Sequence, residues 1–151
     1  LPGARDRDAV AEALALTGLT PFADRTLETL SGGERQRAWI ALVLAQQPAV
    51  ALLDEPTTSL DLQHQLHVLA LLRRLPDERA MTVAVVMHDL NHASRFADWI
   101  VVLDRGRVVI EGPPEEVVTT EVLASVFRVR AHLLRDPVSG RPAFVPLSTV
   151  D

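Results

Sequence analysis

The sequence predicts an α/β fold containing parallel strands, and two features carry that expectation. Val50–Leu53 is a short, unbroken apolar run, the pattern of a parallel strand covered on both faces, and Thr82–Met87 is a second continuous β-type run. Each ends in polar residues, Asp54-Glu55 after the first and His88-Asp89 after the second. The carboxyl ends of strands are where open α/β sheets place their ligands.

Composition bounds the rest. With 151 residues, 48% of them hydrophobic, the chain is long enough for one domain with a true core. A charged fraction of 23% and a mean hydropathy of +0.15 point to neither disorder nor a membrane span. The longest apolar runs, Ala38–Ala45 and Val83–Met87, fall far short of the ~20 residues that cross a bilayer. No charged segment followed by an apolar stretch opens the chain, so no signal peptide is expected. The chain has no cysteine, which excludes disulfides and thiolate metal sites and fits a cytosolic setting. A net charge of −5, from 15 basic and 20 acidic residues, argues against a nucleic-acid partner. All basic residues are arginines. The chain therefore holds no lysine that could serve a phosphate-binding P-loop.

The elements follow in order. Arg5 to Leu19 reads as an amphipathic helix with Val10, Ala11, Leu14, Ala15 and Leu19 at helical spacing, broken by Gly18 and Pro21. Ser31 is a good N-cap, and Glu34 completes the S-x-x-E capping box. Gly32 and Gly33 remove side chains from that first turn, so backbone N–H groups could approach an anion closely. An ordinary capped helix is the plainer reading of the same residues. The helix beyond is apolar nearly all round from Ala38 to Ala45 and is expected to be buried. Pro48 ends it.

Asp54 and Glu55 close the first strand, and read alone they could be a solvated turn. Pro56 stops that strand. Asp61 can cap the next helix, with Leu62, Leu66, Leu69 and Leu72 as its buried stripe. His64 and His67 on that helix lack a further ligand and read as surface residues rather than a metal pair. Pro76-Asp77 reads as a turn. Past His88, Leu90–Ala97 is a short helix, and Trp99–Leu103 with Arg107–Ile110 reads as a hairpin around Asp104-Arg105-Gly106. Gly112-Pro113-Pro114 starts a helical segment reaching Phe127. Val129–Leu134 and Ala143–Leu147 form a second hairpin around Asp136–Pro142.

Taken together, these motifs resemble the ATP-binding cassette (ABC) ATPases. Leu30-Ser31-Gly32-Gly33-Glu34-Arg35-Gln36-Arg37 is similar to the family's signature motif. Val50–Leu53 with Asp54-Glu55-Pro56 resembles the Walker B strand and catalytic glutamate. Ser59-Leu60-Asp61 resembles the D-loop, and His88 the switch histidine. Finer likenesses lie in Leu60-Asp61-Leu62-Gln63-His64-Gln65, His88-Asp89-Leu90-Asn91 and Asp136–Pro142, which look like importers of ferric siderophores, haem or cobalamin. The family's aromatic stacking loop, Walker A loop and Q-loop have no counterpart in the chain.

The resemblance implies the C-terminal part of a RecA-like P-loop NTPase: a mostly parallel sheet with flanking helices and a small C-terminal β-hairpin. Residues 1–47 would form a helical subdomain bearing the signature motif, and residues 48–151 the remainder of the catalytic core with a C-terminal extension. In the family, two such domains pair head to tail around ATP. Ser31, Gly32, Gly33 and Glu34 of one copy would then face the γ-phosphate held by the other. Asp54 would help hold Mg²⁺ through water, Glu55 would act on the attacking water, and His88 would position both. Ser59, Leu60 and Asp61 would couple the two sites.

The implied partners are a second nucleotide-binding domain, an integral-membrane permease and, indirectly, a substrate-binding protein. The implied location is the inner face of the cell membrane, as a peripheral protein. The resemblance further implies that the 151 residues alone do not hydrolyse ATP. It also places the absent Walker A strand beside the Thr82–Met87 strand, which leaves edges open to pairing. A non-transport ABC ATPase, or a fragment that only binds a partner, are the alternatives.

Overall fold

A computed structural model describes residues 3–58 and 60–150. The chain divides into two compact units, Leu1–Met87 and His88–Asp151.

In the first unit, α1 (Ala4–Leu16) stops sooner than its periodicity predicts. Gly18 adopts φ +68°, and the N–H groups of Gly18 and Leu19 return to the carbonyls of Ala15 and Leu14. That pair of bonds is a Schellman stop, and only the left-handed residue makes it possible. The buried face of α1 is also rotated from the expected stripe: Ala13 and Thr17 are buried, whereas Val10, Ala11 and Ala15 are exposed. Helix α2 (Gly32–Ala45) packs on α1. It is not buried all round as its composition predicts. Ile40, Ala41 and Leu44 face the core, but Trp39 and Leu42 remain about half exposed. One neighbouring helix covers one stripe of a cylinder, not its circumference.

Strand β1 (Val50–Asp54) pairs in parallel with β2 (Thr82–Val86), from Val50 opposite Thr82 to Asp54 opposite Val86. The parallel pairing follows the expectation from the apolar runs. Coverage on both faces does not. Ala51, Leu53, Val83 and Val85 point into the core, while Leu52 on the opposite face is 77% exposed and Val50 and Val86 are exposed beside it. Alternate side chains leave a strand on opposite faces, and the helices of this unit cover only one of them.

Helix α3 (Leu62–Arg79) links the two strands. Its buried stripe is Val68, Leu69, Leu71, Leu72 and Leu75. Leu62 lies outside that stripe, 66% exposed, because it sits in the first turn beyond the reach of the core. The turn expected at Pro76 is absent, and the helix runs through it to Arg79. Proline removes the bond to the Leu72 carbonyl and crowds it, at about 3 kcal/mol in a helix interior. Against that stand the full burial of Leu75 and an ion pair from Arg79 in the last turn to Glu12 of α1, at 2.5 Å.

In the second unit, β3 (Ile100–Asp104) and β4 (Arg107–Gly112) form an antiparallel hairpin. Arg105 and Gly106 both take positive φ, as a two-residue type I′ loop requires. The single helical segment expected after Pro113 is two short helices, α5 (Pro114–Val117) and α6 (Thr120–Ser125), the second capped by the Thr119 hydroxyl. Strands β5 (Val129–Arg135) and β6 (Pro142–Thr149) form the second antiparallel hairpin.

That hairpin is pinned to α4 (Leu90–Phe96). Asn91 exchanges two hydrogen bonds with the Phe144 backbone, and Ser94 Oγ donates to the Pro142 carbonyl. The Arg141 guanidinium donates to the Ala97 carbonyl and to Asp98 at the C-terminal end of α4, where the helix dipole favours a cation. The described strands thus form three two-stranded sheets, β1–β2 parallel and β3–β4 and β5–β6 antiparallel.

Candidate functional site

The start of α2 is built as its sequence predicts. Ser31 Oγ accepts from the Glu34 N–H at 3.3 Å, and Glu34 Oε2 accepts from the Ser31 N–H at 2.8 Å. Those reciprocal bonds close the capping box and satisfy two donors that the helix itself cannot. The Ser31 N–H, aided by the Ser31 hydroxyl and by Arg25 and Arg37, holds the Glu34 carboxyl below the usual carboxylate range. The two glycines differ. A Cβ on Gly32 would meet nothing within 4 Å, so that side of the turn is open. A Cβ on Gly33 would lie 2.8 Å from His64 Cδ2, so that side is closed.

Asp54 stands exposed at the carboxyl end of β1. Glu55 follows in the left-handed region at φ +47°, an unusual conformation for a side-chain-bearing residue. Its N–H donates to the Val86 carbonyl at 3.0 Å, which extends the strand ladder by one bond before the chain turns. Thr58 Oγ1 donates to Glu55 Oε2 at 2.8 Å, and the Thr58 N–H donates to the Glu55 carbonyl. The half-buried carboxylate is therefore oriented by its own turn. Pro56 is fully buried beneath it.

Of the D-loop residues, Ser59 lies outside the described residues. Leu60 is half-buried, and its carbonyl accepts from Gln65 Nε2 at 3.0 Å. Asp61 caps α3: Oδ1 accepts from the His64 N–H at 2.9 Å and lies 2.7 Å from His64 Nδ1. The His64 N–H foremost, then its ring, lowers the Asp61 carboxyl from its ordinary value. His88 is an exposed residue at the start of the second unit, directly before Asp89, which caps α4 through the His92 N–H.

Within the first unit, the structure joins the start of α2 to the start of α3 through Gly33, His64 and Asp61. It separately ties Glu55 to Thr58. Thr58, His64 and Gln65 are positioning residues to which the sequence assigns no role. The signal for Thr58 was its place three residues past a strand-end carboxylate. His64 has a local partner in Asp61, but its contact with Gly33 lies far away along the chain and has no local signal. Among the described residues, no three His, Cys, Asp or Glu side chains cluster as a metal cage, and no helix is long and apolar enough to cross a membrane. A single exposed strand-end carboxylate does suit Mg²⁺, which keeps most of its waters and takes one or two protein oxygens.

Comparison with known proteins agrees with these features. Residues 4–58 match the family described as ABC transporter. The chain is 49% identical over 142 residues to the ferric enterobactin transport ATP-binding protein FepC of Escherichia coli K12, covering 94% of this chain and 52% of that protein. It is 48% identical over 137 residues to the iron(3+)-hydroxamate import ATP-binding protein FhuC of Bacillus subtilis 168, covering 91% and 51%. It is 45% identical over 141 residues to the hemin import ATP-binding protein HmuV of Rhodococcus jostii RHA1, covering 93% and 48%. Among solved structures, a metal-chelate type ABC transporter in an inward-facing conformation superposes with a TM-score of 0.86 at 33% identity, over 98% of this chain and 60% of that one. The chain spans about half the length of the curated relatives it matches. It belongs to the ABC transporter ATP-binding family, in the branch that contains these siderophore and haem import proteins.

Proposed function

We propose that this chain is the signature- and Walker B-bearing portion of an ATP-hydrolysing subunit that drives import of a ferric siderophore or a related iron or haem compound. The observation that carries this reading is Glu55, a carboxylate at a strand's carboxyl end, held in a left-handed turn and oriented by Thr58. A base that activates water needs a fixed direction as well as a lone pair, and such positioned bases contribute about 10²–10⁴-fold. The names of the relatives supply the cargo class.

The roles of α2, Asp54 and Glu55 draw on their surroundings, and those of His88 and the Ser59-Leu60-Asp61 loop on the family resemblance. The open side of Gly32 and the first turn of α2 present N–H groups and a positive helix end to a γ-phosphate bound by a second copy. The Ser31 hydroxyl, whose proton rotates, can turn toward the same phosphate. Asp54 would hold Mg²⁺ through water, and the ion would supply charge neutralisation on the phosphates. His88 would contact the γ-phosphate and orient Glu55 and the water, and the Ser59-Leu60-Asp61 loop would couple the paired sites. Since the chain contains no lysine, the P-loop lysine comes from outside these 151 residues, which alone should not turn over ATP. The natural partners are a second nucleotide-binding domain, a membrane permease and, through it, a substrate-binding protein.

The test is Glu55→Gln in the full-length protein. Turnover should nearly vanish while ATP still drives dimer formation, read by light scattering. Hydrolysis at the parent rate would reject the role of Glu55 and, with it, this reading.

A further inference from the structure

The contact between Gly33 and His64 assigns a task that neither the capping box nor the helix cap requires. A Cβ placed on Gly33 would fall 2.8 Å from Cδ2, 3.0 Å from Cγ and 3.2 Å from Nε2 of His64. Two of these are at or below the closest approach that real side-chain carbons make, so the imidazole rests directly on the backbone of the second residue of α2. The ring is not free to swing aside. Asp61 Oδ1 lies 2.7 Å from Nδ1, and the same oxygen accepts the His64 N–H, so Asp61 grips both the ring and its backbone. His67 adds an edge-on ring contact at a centroid distance of 6.5 Å. With Nδ1 directed to a carboxylate, the opposite, Cδ2 side of the ring is the one that lies against Gly33.

An Asp cap needs only the backbone N–H of the third residue after it. The ring bond and its seat on Gly33 are additional. Their effect is to join the first turn of α2 to Asp61 at the start of α3. Gln65, one position on, holds the residue before Asp61 by donating to the Leu60 carbonyl. Two glycines that look alike in sequence therefore do different things. Gly32 faces open space, and Gly33 makes room for His64.

We propose that His64 is a positioning residue for the phosphate-facing turn of α2: held by Asp61, it braces Gly33 so that the signature turn and the start of α3 in one copy move as a single body. The inference rests on the reading that this turn meets a phosphate bound by another copy. That meeting happens only when two copies close, so losing the brace should lower kcat and kcat/KM together and leave KM for ATP nearly unchanged.

The experiment is a double-mutant cycle in the ATPase activity of the full-length protein, with melting temperatures measured alongside. Gly33→Ala alone drives a methyl into the imidazole and should cut kcat by about tenfold or more. His64→Ala alone removes the ring and should cut kcat by about fivefold. In the double variant the methyl has room, and kcat should return to the level of His64→Ala. Gly32→Ala, whose added methyl enters open space where the ligand approaches, should not be rescued by His64→Ala. Multiplicative losses in the Gly33→Ala and His64→Ala pair would overturn the proposal, because Gly33 would then be needed for the ligand itself.

Where Gly33→Ala does not fold, His64→Ala and His64→Asn decide. Asparagine can keep a donor to Asp61 but lacks the ring that rests on Gly33. Reduced kcat in both variants at an unchanged KM and melting temperature supports the brace, and an unchanged kcat in either overturns it. Ser31→Ala separates the two levels of argument. If it leaves turnover intact, the phosphate-facing reading of α2 fails whatever the cycle shows.

Discussion

The backbone of Glu55 makes a sharp prediction for replacement by glycine in the full-length protein. At φ +47° a residue with a Cβ carries left-handed strain of about 1–2 kcal/mol. Glycine removes that strain. It adds about 0.5–1 kcal/mol of backbone entropy to be lost on folding, and it forfeits the Thr58 hydroxyl bond to Oε2, with a net worth of about 0.5–1.5 kcal/mol. These terms nearly cancel, so Glu55→Gly should change stability by less than about 1 kcal/mol, a melting shift within roughly 4 °C. Activity should behave quite differently. With no carboxylate at the strand end, turnover should fall by about 10²–10⁴-fold. Differential scanning fluorimetry and a phosphate-release assay on one preparation measure both. A large melting loss would show that Glu55 holds the fold together. A turnover loss below about tenfold would show that the water is activated elsewhere. Either result refutes the division of labour argued for this turn, in which the carboxylate serves chemistry and the conformation merely tolerates it.

Two further substitutions probe the scaffold. Pro76→Ala restores a donor to the Leu72 carbonyl within α3 and removes the ring that crowds it; after the entropy that proline saves in the unfolded chain, a gain of about 2 kcal/mol should remain, seen as a higher denaturant midpoint. No gain would mean that the helix has already adjusted its geometry around the proline. Glu34→Gln addresses pH. The folded Glu34 carboxyl is held below its ordinary value by the Ser31 N–H, so its contribution is present above the unfolded value of about 4.3 and is lost as pH falls through the lower folded value. Glutamine can still accept that bond but does not titrate, so melting temperatures between about pH 6 and pH 3 should decline less steeply in the variant than in the parent.

What could be read in advance divides along the range of the forces involved. The capping box at Ser31 and Glu34, the Asp61 cap and the Arg105-Gly106 turn depend on residues within a few positions of each other, and each stands as its sequence predicts. The stop at Gly18 is equally local and is where the sequence places a helix breaker, although the helical spacing of Leu19 counts that residue into the stripe. Leu19 is buried as the residue after the stop, not as part of the stripe. Pro76 misleads in the opposite direction. Its local preference is real, but buried Leu75 before it and the Arg79–Glu12 ion pair after it hold one more turn of helix in place. Such contacts come from another element and leave no trace in a local window.

The apolar surface on β1 and α2 belongs to the same argument at longer range. An unbroken apolar strand states how much burial its residues were selected for, without naming what supplies it. Val50, Leu52 and Val86 present one uncovered sheet face, and Trp39 and Leu42 one uncovered helix face, in a chain about half as long as its relatives. The sequence thus described a more enclosed environment than these residues provide for one another. Asp54 ends that same strand and Glu55 follows it. The site is legible as chemistry from a few consecutive residues. Its rigidity is not, because that comes from contacts such as His64 on Gly33, which join segments that only the fold brings together.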